Sequence, residues 1–338
     1  MTDVISFPGL GLEFEINRVA FSLGSIDIYW YAVIIATGFL LAMAFVFKNC
    51  KRFGIDSDRA IDVIFFAMIL GIIGARAYYV AFQWDMYKDN LMEIFNIRGG
   101  GLGFYGGIIG GIIGLVIGCK LRDQRLLPFL DIAGGAVLIG QGIGRWGNFV
   151  NSEAFGCNTD LPWGMTSPKI AAYIERHTTE AMGAVMDPAL PVHPTFLYES
   201  LWCAIGLILF FVIAKKRRFD GQMFLFYLAW NGGGRMIIEG LRTDSLMIGP
   251  FRISQLLGAL MLVFAAAAYF VAMKKLKSEN KPEWLGIWAE TEKGKLQGEC
   301  KWDYKNNCEK GLVTEEDTLT EEIQEETKAE EDENGNDN

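Results

Sequence analysis

Residues 60–82 read AIDVIFFAMILGIIGARAYYVAF, and the only charged side chains in that stretch are Asp62 and Arg76. A helix needs about 20 mostly apolar residues to cross the hydrocarbon layer of a bilayer, and this block is long enough. Six further blocks share its character, at about 27–47, 101–119, 126–146, 196–214, 221–240 and 251–273. The blocks at 101–119 and 126–146 are the weakest, being rich in glycine, and the second of them ends on polar residues. The pattern predicts an all-α membrane protein with about seven transmembrane helices. Composition alone hides this. The chain is 51% hydrophobic and 21% charged, close to the soluble average of about 45–50% and about 25%. The charge, however, is segregated. Residues 315–338 hold twelve Asp and Glu against the single Lys328, a net of −11, so of the total of −9 the rest of the chain carries +2. The acidic pI belongs to a tail, and an ordinary soluble enzyme and a nucleic-acid binder are both excluded.

The basic residues orient the spans. Lys48, Lys51, Arg52 and Arg59 follow the first block, and Lys120, Arg122 and Arg125 follow the third. Lys215, Lys216, Arg217 and Arg218 follow the fifth, and Lys274, Lys275 and Lys277 the seventh. The alternate loops carry only Lys88 and Arg98 in one case and Lys169 and Arg176 in another. Loops rich in Lys and Arg stay in the cytoplasm, so the N-terminus is expected outside and the C-terminus inside. Residues 1–26 then form an outer-surface segment, 27–276 the membrane domain with an outer loop at about 147–195, and 277–338 a polar and acidic cytoplasmic tail. Such a tail, highly charged and poor in apolar residues, is expected to be largely disordered. The start of the chain, with Asp3, Glu13 and Glu15 but no basic start, does not read as a cleaved signal peptide. The six cysteines show no metal or redox spacing, and no disulfide framework is expected.

Two glycine patterns need separating. Gly101-Leu102-Gly103-Phe104-Tyr105-Gly106 matches a dinucleotide-binding motif in letters but opens a membrane span, where the strand and helix context of that motif is missing. Gly103, Gly107 and Gly111 recur every four residues, as do Gly106, Gly110, Gly114 and Gly118, which suits close helix packing. At the start of the span, bare backbone N–H groups could also meet a lipid phosphate.

Charges inside spans are costly and mark function by default. Asp62, Arg76, Asp131, Arg145, Arg235 and Glu239 fall in or at the ends of the blocks. Asn231, Arg235, Glu239 and Arg242 are spaced for one helical face, and Arg235 and Glu239 are set to pair at i, i+4. Gln141, Arg145 and Asn148 share a face if their segment is helical, with Glu153 following in the loop. Both clusters fall at the outer membrane surface in the expected topology. Two arginine-bearing faces at one depth predict an anion site for a lipid headgroup. Against this stands the plainer reading, in which each arginine snorkels to the interface or bridges two helices.

Gly144-Arg145-Trp146-Gly147-Asn148-Phe149-Val150-Asn151-Ser152-Glu153 with Gly156 closely resembles the signature segment of bacterial prolipoprotein diacylglyceryl transferases. Gly99 to Gly107, His193 to Glu199, and Arg235 to Glu239 with Arg242 resemble the family's other motifs in order, as do Tyr31 and Arg76. The resemblance covers about 20–273 and implies seven spans with the N-terminus outside, in the bacterial cytoplasmic (inner) membrane. It implies transfer of diacylglycerol from phosphatidylglycerol to the lipobox cysteine thiol of a preprolipoprotein, with glycerol phosphate released and no metal or cofactor required. Phosphatidylglycerol, lipobox peptides and membrane lipid are thus the implied partners.

By matched position, Arg145 and Arg235 would bind the phosphate and stabilise the leaving group, while Asn148 and Glu153 would bond the glycerol or orient Arg145. Glu239 would hold Arg235, Arg242 would join the site, and Tyr31 would contact lipid or thiol. Gly156 would permit a tight turn, and Gly106 and Gly107 would approach the substrate. Many relatives carry a histidine, a proposed base, where this chain has Tyr105. Tyrosine's ordinary pKa is about 10, so Tyr105 acts either as a phenolate beside an arginine or only as a hydrogen-bonding group. In the second case Glu239 or Glu153 is the candidate base. His193 reads as a structural residue at the start of the fifth span, with a role as base the alternative. A transporter and a non-catalytic lipid-binding scaffold are the rival functions. Transporters often carry matching halves with interrupted helices, which this sequence does not display.

Overall fold

The computed structural model of the chain describes residues 2–24, 26–97, 100–177, 180–181, 184–243, 247–248, 251–278, 282–303 and 308–309. In chain order the main elements are β1 (Thr2–Phe7), β2 (Leu12–Asn17), β3 (Val19–Leu23), β4 (Ile26–Tyr29), α1 (Trp30–Phe53), α2 (Ser57–Phe82), α3 (Phe104–Leu121), α4 (Leu126–Asn151), α5 (Pro168–His177), α6 (Thr195–Ala214), α7 (Gln222–Ile238), α8 (Ile253–Leu276) and α9 (Glu292–Gly298). They fall into two units, one of residues 1–53 with 125–288 and the other of 54–124 with 289–338. The acidic run expected to be disordered, 315–338, lies outside the described residues.

Among the described residues six helices are long and apolar enough to cross a membrane: α1, α2, α3, α4, α6 and α8. Their outward faces are apolar, with Leu40, Ile73, Ile208 and Val263 each more than half exposed, an arrangement suited to lipid rather than water. The expected seventh, at 221–240, is a helix of 17 residues. At about 1.5 Å per residue it rises roughly 25 Å, short of the roughly 30 Å of hydrocarbon. It ends at Ile238, where the chain tightens into a 3-10 turn over Glu239–Leu241. Helix α1 runs six residues past the apolar block at 27–47, because Lys48, Lys51 and Arg52 continue the backbone hydrogen bonding beyond the apolar side chains. Hydropathy reports membrane depth and not where a helix stops.

In the second unit α2 and α3 pack antiparallel through glycine. A Cβ on Gly74 would lie 2.5 Å from the Gly106 carbonyl oxygen and 2.9 Å from the Gly110 Cα, and one on Gly118 would lie 3.0 Å from the Val63 Cα. The packing role expected for the repeated glycines is therefore realised along the length of α3. Asp62 pairs with Arg122 near the ends of the two helices. Buried Arg76 is a loop clamp. Its Nε donates to the carbonyl of Ile94 (2.7 Å), one terminal nitrogen to Gly100 (3.1 Å) and Gly101 (2.9 Å), and the other to Glu93 (2.6 Å) and Asn96 (3.0 Å). All five guanidinium donors thus hold the segment that leads into α3. Polar residues beyond α8 also fold in this unit: Gln297 of α9 is almost fully buried and donates to the Asp123 carbonyl at 3.0 Å.

In the first unit α1 lies against α4, where Gly135, Gly144 and Gly147 admit Phe45, Ile35 and Tyr31. Fully buried Asp131 of α4 accepts hydrogen bonds from the backbone N–H of Gly221 and Phe224, both at 2.9 Å. A carboxylate thereby caps the N-terminus of α7 from a neighbouring helix, satisfying orphan donors and favoured by the helix dipole. Asp220 accepts from the Trp288 backbone N–H at 2.8 Å, while Arg125 lies over the Trp288 ring at 4.2 Å.

Residues 1–26 do more than lie on a surface. β1 and β2 form an antiparallel hairpin in the register Thr2↔Asn17 to Phe7↔Leu12, and β3 pairs with β4 just before α1. The edge of β1 exchanges two 2.9 Å backbone bonds between Ser6 and Thr166. Ile5 and Phe7 join Phe155, Met165, Ile170 and Val192 in a small apolar core.

Candidate active site

The polar end of α4 is positioned by the same packing. A Cβ on Gly147 would come within 2.8 Å of the Tyr31 ring, so only glycine lets α1 approach there and place Tyr31 beside the helix that carries Arg145. One turn away, a Cβ on Gly142 would lie 3.1 Å from the Cys203 Cβ of α6. With α1, α4 and α6 drawn together, Arg145 reaches Glu199 of α6, its terminal nitrogen 2.6 Å from a carboxylate oxygen. Its other terminal nitrogen donates to the Asn148 side-chain oxygen at 3.4 Å. The second oxygen of Glu199 pairs with Arg242 at 3.1 Å. Glu199 therefore holds one arginine on each oxygen.

Across the cleft Arg235 pairs with Glu239 at 3.1 Å, as their i, i+4 spacing predicts, and Glu239 is buried, 4% exposed. Arg252 donates to the Glu239 backbone carbonyl. The helical face expected to carry Arg242 stops short, because the chain leaves helix at Ile238 and Arg242 is extended (φ −76°, ψ 150°). That break lets Arg242 turn to Glu199.

The cleft, about 360 Å³ with part of it open, is lined by Gln141, Arg145, Glu199, Trp202, Arg235 and Glu239 among others. Around it stand the guanidinium groups of Arg145, Arg235, Arg242 and Arg252 and the carboxylates of Glu199 and Glu239, an excess of two positive charges. A guanidinium carries five N–H donors, so one paired with a carboxylate can still serve a second anion. Such donors, fixed before an anion arrives, suit stabilisation of charge that develops there.

The loop after α4 is held from three sides. Ser152 and Ala154 both adopt left-handed backbone (φ 52° and 55°), a conformation costing about 1–2 kcal/mol for residues other than glycine. The Ser152 hydroxyl donates to Asp3 of β1 at 2.6 Å, Lys169 of α5 donates to the Asn151 carbonyl, and the Thr195 hydroxyl donates to the Ala154 carbonyl. Glu153 is half exposed, with an oxygen 3.9 Å from Lys169 Nζ. Burial, and then the nearby Arg18 guanidinium, lower the Lys169 pKa from its ordinary value.

Gly156 serves close approach and not a tight turn. Its φ is not positive, and its Cβ would lie 2.7 Å from the His193 Cβ and 3.0 Å from the Leu241 carbonyl oxygen. It bonds to the His193 carbonyl at 2.9 Å and bridges to Arg242, tying the loop to the chain that delivers Arg242.

Tyr105, Gly106 and Gly107 belong to the other unit, in the first turn of α3. Gly106 is pressed against Gly74 and Tyr78, whereas the nearest atom to a Cβ on Gly107 would be the Ala75 Cβ at 3.6 Å. Tyr105 is half-buried, its ring centroid 6.4 Å from that of Tyr78. Sequence reasoning passed over Glu199 and Arg252 as site residues. Glu199 had a signal, a carboxylate in the fifth apolar block and within the HPTFLYE motif. Arg252 had none, since it reaches the site by its backbone position ahead of α8.

His193 lies outside this cleft's lining. Trp163 donates its indole N–H to the Tyr198 oxygen at 2.7 Å, leaving the tyrosine hydroxyl to donate to His193 Nδ1 at 3.0 Å. Burial lowers the His193 pKa below its ordinary value of 6.5, so the ring is neutral at pH 7. The unfolded chain binds the proton more readily, and stability is therefore lost as pH falls through about 6.5 toward the folded value. Thermal unfolding at pH 7.5 and 5.5 should show this loss, reduced in His193→Gln. Equal losses in both proteins would assign the effect elsewhere.

The model of the prolipoprotein diacylglyceryl transferase family matches residues 18–271. A phosphatidylglycerol–prolipoprotein diacylglyceryl transferase of Finegoldia magna is 42% identical over 268 residues, 78% of this chain and 100% of that protein. Proteins of the same name from Clostridioides difficile and Streptococcus equi subsp. zooepidemicus are 38% and 43% identical, over 79% and 75% of this chain and 100% and 95% of their own.

Proposed function

The chain belongs to the prolipoprotein diacylglyceryl transferase family, and from that premise we propose that it transfers diacylglycerol from phosphatidylglycerol to the lipobox cysteine of a preprolipoprotein. The observation that carries the reading is the cleft in which Arg145 and Arg235 stand among paired carboxylates. The cysteine sulfur attacks the glycerol carbon bearing the phosphate ester. A C–S bond forms as the C–O bond breaks, and the electron pair leaves on the phosphate oxygen of glycerol phosphate. Arg145 and Arg235 meet that growing charge. Asn148 and Glu199 set the Arg145 fork, Glu239 holds Arg235, and Arg242 completes the pairing on Glu199. Tyr31 flanks the thiol or lipid from α1, and Gly156 keeps the loop close.

The thiol's ordinary pKa is about 8.5, so its proton must pass to a base, and the positive field favours the thiolate. Glu239 or Glu153 takes that proton, and Tyr105, with a phenol's ordinary pKa of about 10, is left as a hydrogen-bonding group. Neither a metal nor a nucleic acid takes part.

The protein is a multi-pass membrane enzyme. The topology we infer has seven crossings, with α7 and its 3-10 turn as the short one, the N-terminus outside and the C-terminus in the cytoplasm. It rests on the basic residues that follow alternate spans and places the cleft at the outer face of the cytoplasmic membrane, open sideways to lipid. Within it we assign residues 1–26 to an outer N-terminal segment, 27–276 to a catalytic membrane domain and 277–338 to a cytoplasmic tail.

The test supplies purified protein in detergent with phosphatidylglycerol and a lipobox peptide, read by mass. Diacylglyceryl-peptide with cysteine and none with serine in its place is the expected result. Absence of product from folded protein, beside a working relative, would overturn the proposal.

A further inference from the structure

Helices α6 and α7 are joined beside the cleft by a reciprocal pair. The Trp202 indole donates to the backbone carbonyl of Trp230 at 3.0 Å, and the Trp230 indole donates to the carbonyl of Trp202 at 2.9 Å. The rings stack with centroids 4.5 Å apart and planes 21° apart. On each helix the tryptophan is followed four residues later by glycine, Trp202 by Gly206 and Trp230 by Gly234, a spacing that shares one face. Each glycine makes room for the other helix's indole. A Cβ on Gly234 would sit 2.5 Å from Trp202 Nε1, and one on Gly206 would meet Trp230 Nε1. An indole N–H within the hydrocarbon needs a partner from the protein, and here each helix supplies the other's. Sliding or splaying α6 against α7 breaks both bonds together.

The pair is placed where separation matters. Trp202 follows Glu199 by three residues and itself lines the cleft, as do Asn231, next to Trp230, and Arg235 one turn further on. We propose that Trp202 and Trp230 are positioning residues, a clasp that sets the α6–α7 separation and thereby how well the cleft admits the phosphatidylglycerol headgroup. The inference rests on the transferase reading above. Arg145 and Arg235 keep their own partners, Glu199 and Glu239, whether or not the clasp is closed. Loosening it should therefore change how substrate fits and leave the chemistry of bound substrate largely intact.

Trp202→Phe and Trp230→Phe preserve the stacked rings and remove the N–H groups, while Gly234→Ala pushes on Trp202 without removing any donor. Full-length protein would be assayed with varied phosphatidylglycerol and saturating lipobox peptide, and near-UV circular dichroism would follow the stacked indoles in Gly234→Ala, which keeps both. Each variant is expected to raise KM for phosphatidylglycerol roughly five- to tenfold, the size of one lost buried hydrogen bond, with kcat within about twofold on the same scale. The double Phe variant should be little worse than the poorer single one, since both bonds hold one separation. Gly234→Ala carries the test if a Phe variant fails to accumulate. An unchanged KM across the variants, or a fall in kcat at constant KM, would overturn the clasp while leaving the transferase reading in place. Wild-type protein that makes no product would overturn both.

Discussion

Arg145→Ala is expected to lower diacylglyceryl-peptide formation by roughly 10²–10³-fold, the usual loss when a fixed donor to developing negative charge is removed. Arg145 is well placed for this part, since it lines the cleft and its fork is set by Glu199 at 2.6 Å and Asn148 at 3.4 Å. Removing it also leaves Glu199 with Arg242 alone of its two arginines. Arg145→Lys should restore little, because an ammonium is a point charge and cannot hold the two-nitrogen geometry that Asn148 and Glu199 define. The measurement is kcat/KM for both variants in the peptide assay, with membrane insertion confirmed. A loss below about tenfold for the alanine variant, against the 10²–10³-fold usual for such a donor, would remove Arg145 from the leaving-group role and shift it to Arg235.

Arg76→Met is expected to cause the largest loss of structure. The guanidinium feeds five backbone carbonyls between Glu93 and Gly101, and Gly100 and Gly101 are held there at φ +89° and +76°. An unsatisfied buried acceptor costs about 1–3 kcal/mol. Even with water reaching most of these carbonyls, a loss of about 3 kcal/mol is expected on that basis. The segment 83–103 should become a preferred site of proteolysis, and activity should fall because the same segment leads to Tyr105. Arg76→Lys supplies three donors against five and should rescue only part of the protection. Unchanged cleavage in Arg76→Met would show that the loop holds its shape without the clamp.

Arg76 also shows where sequence reading lost resolution. Charge inside a span flags importance, and all six flagged residues are engaged, but the flag carries no information about the task. Asp62 ties α2 to Arg122, Asp131 caps α7, and Arg76 clamps a loop, while Arg145, Arg235 and Glu239 line the cleft. Long apolar blocks were legible because burial in lipid demands them at every turn of helix. Glu199 is harder to see, since its partners Arg145 and Arg242 lie 54 residues before it and 43 after it in the chain. Spacing alone puts Arg242 on a helical face, and spacing does not reveal that the helix ends at Ile238. The two N-terminal hairpins are not legible because short strands beside a membrane leave a weak alternating pattern. The tightly packed glycines of α3 are legible for a physical reason: small residues every fourth position admit a neighbouring backbone.

The bond between Asp3 and Ser152, with the Ser6–Thr166 ladder beside it, joins the earliest strand to chain synthesised some 150 residues later. During biosynthesis β1 must therefore wait while the four helices α1–α4 are made, with Ile5 and Phe7 still without the partners that α5 and the following loop supply. Closure of so distant a contact is slow relative to helix formation. The loop after α4 is consequently among the last parts to reach its final shape, and a chain inserted in the membrane is not yet a competent enzyme.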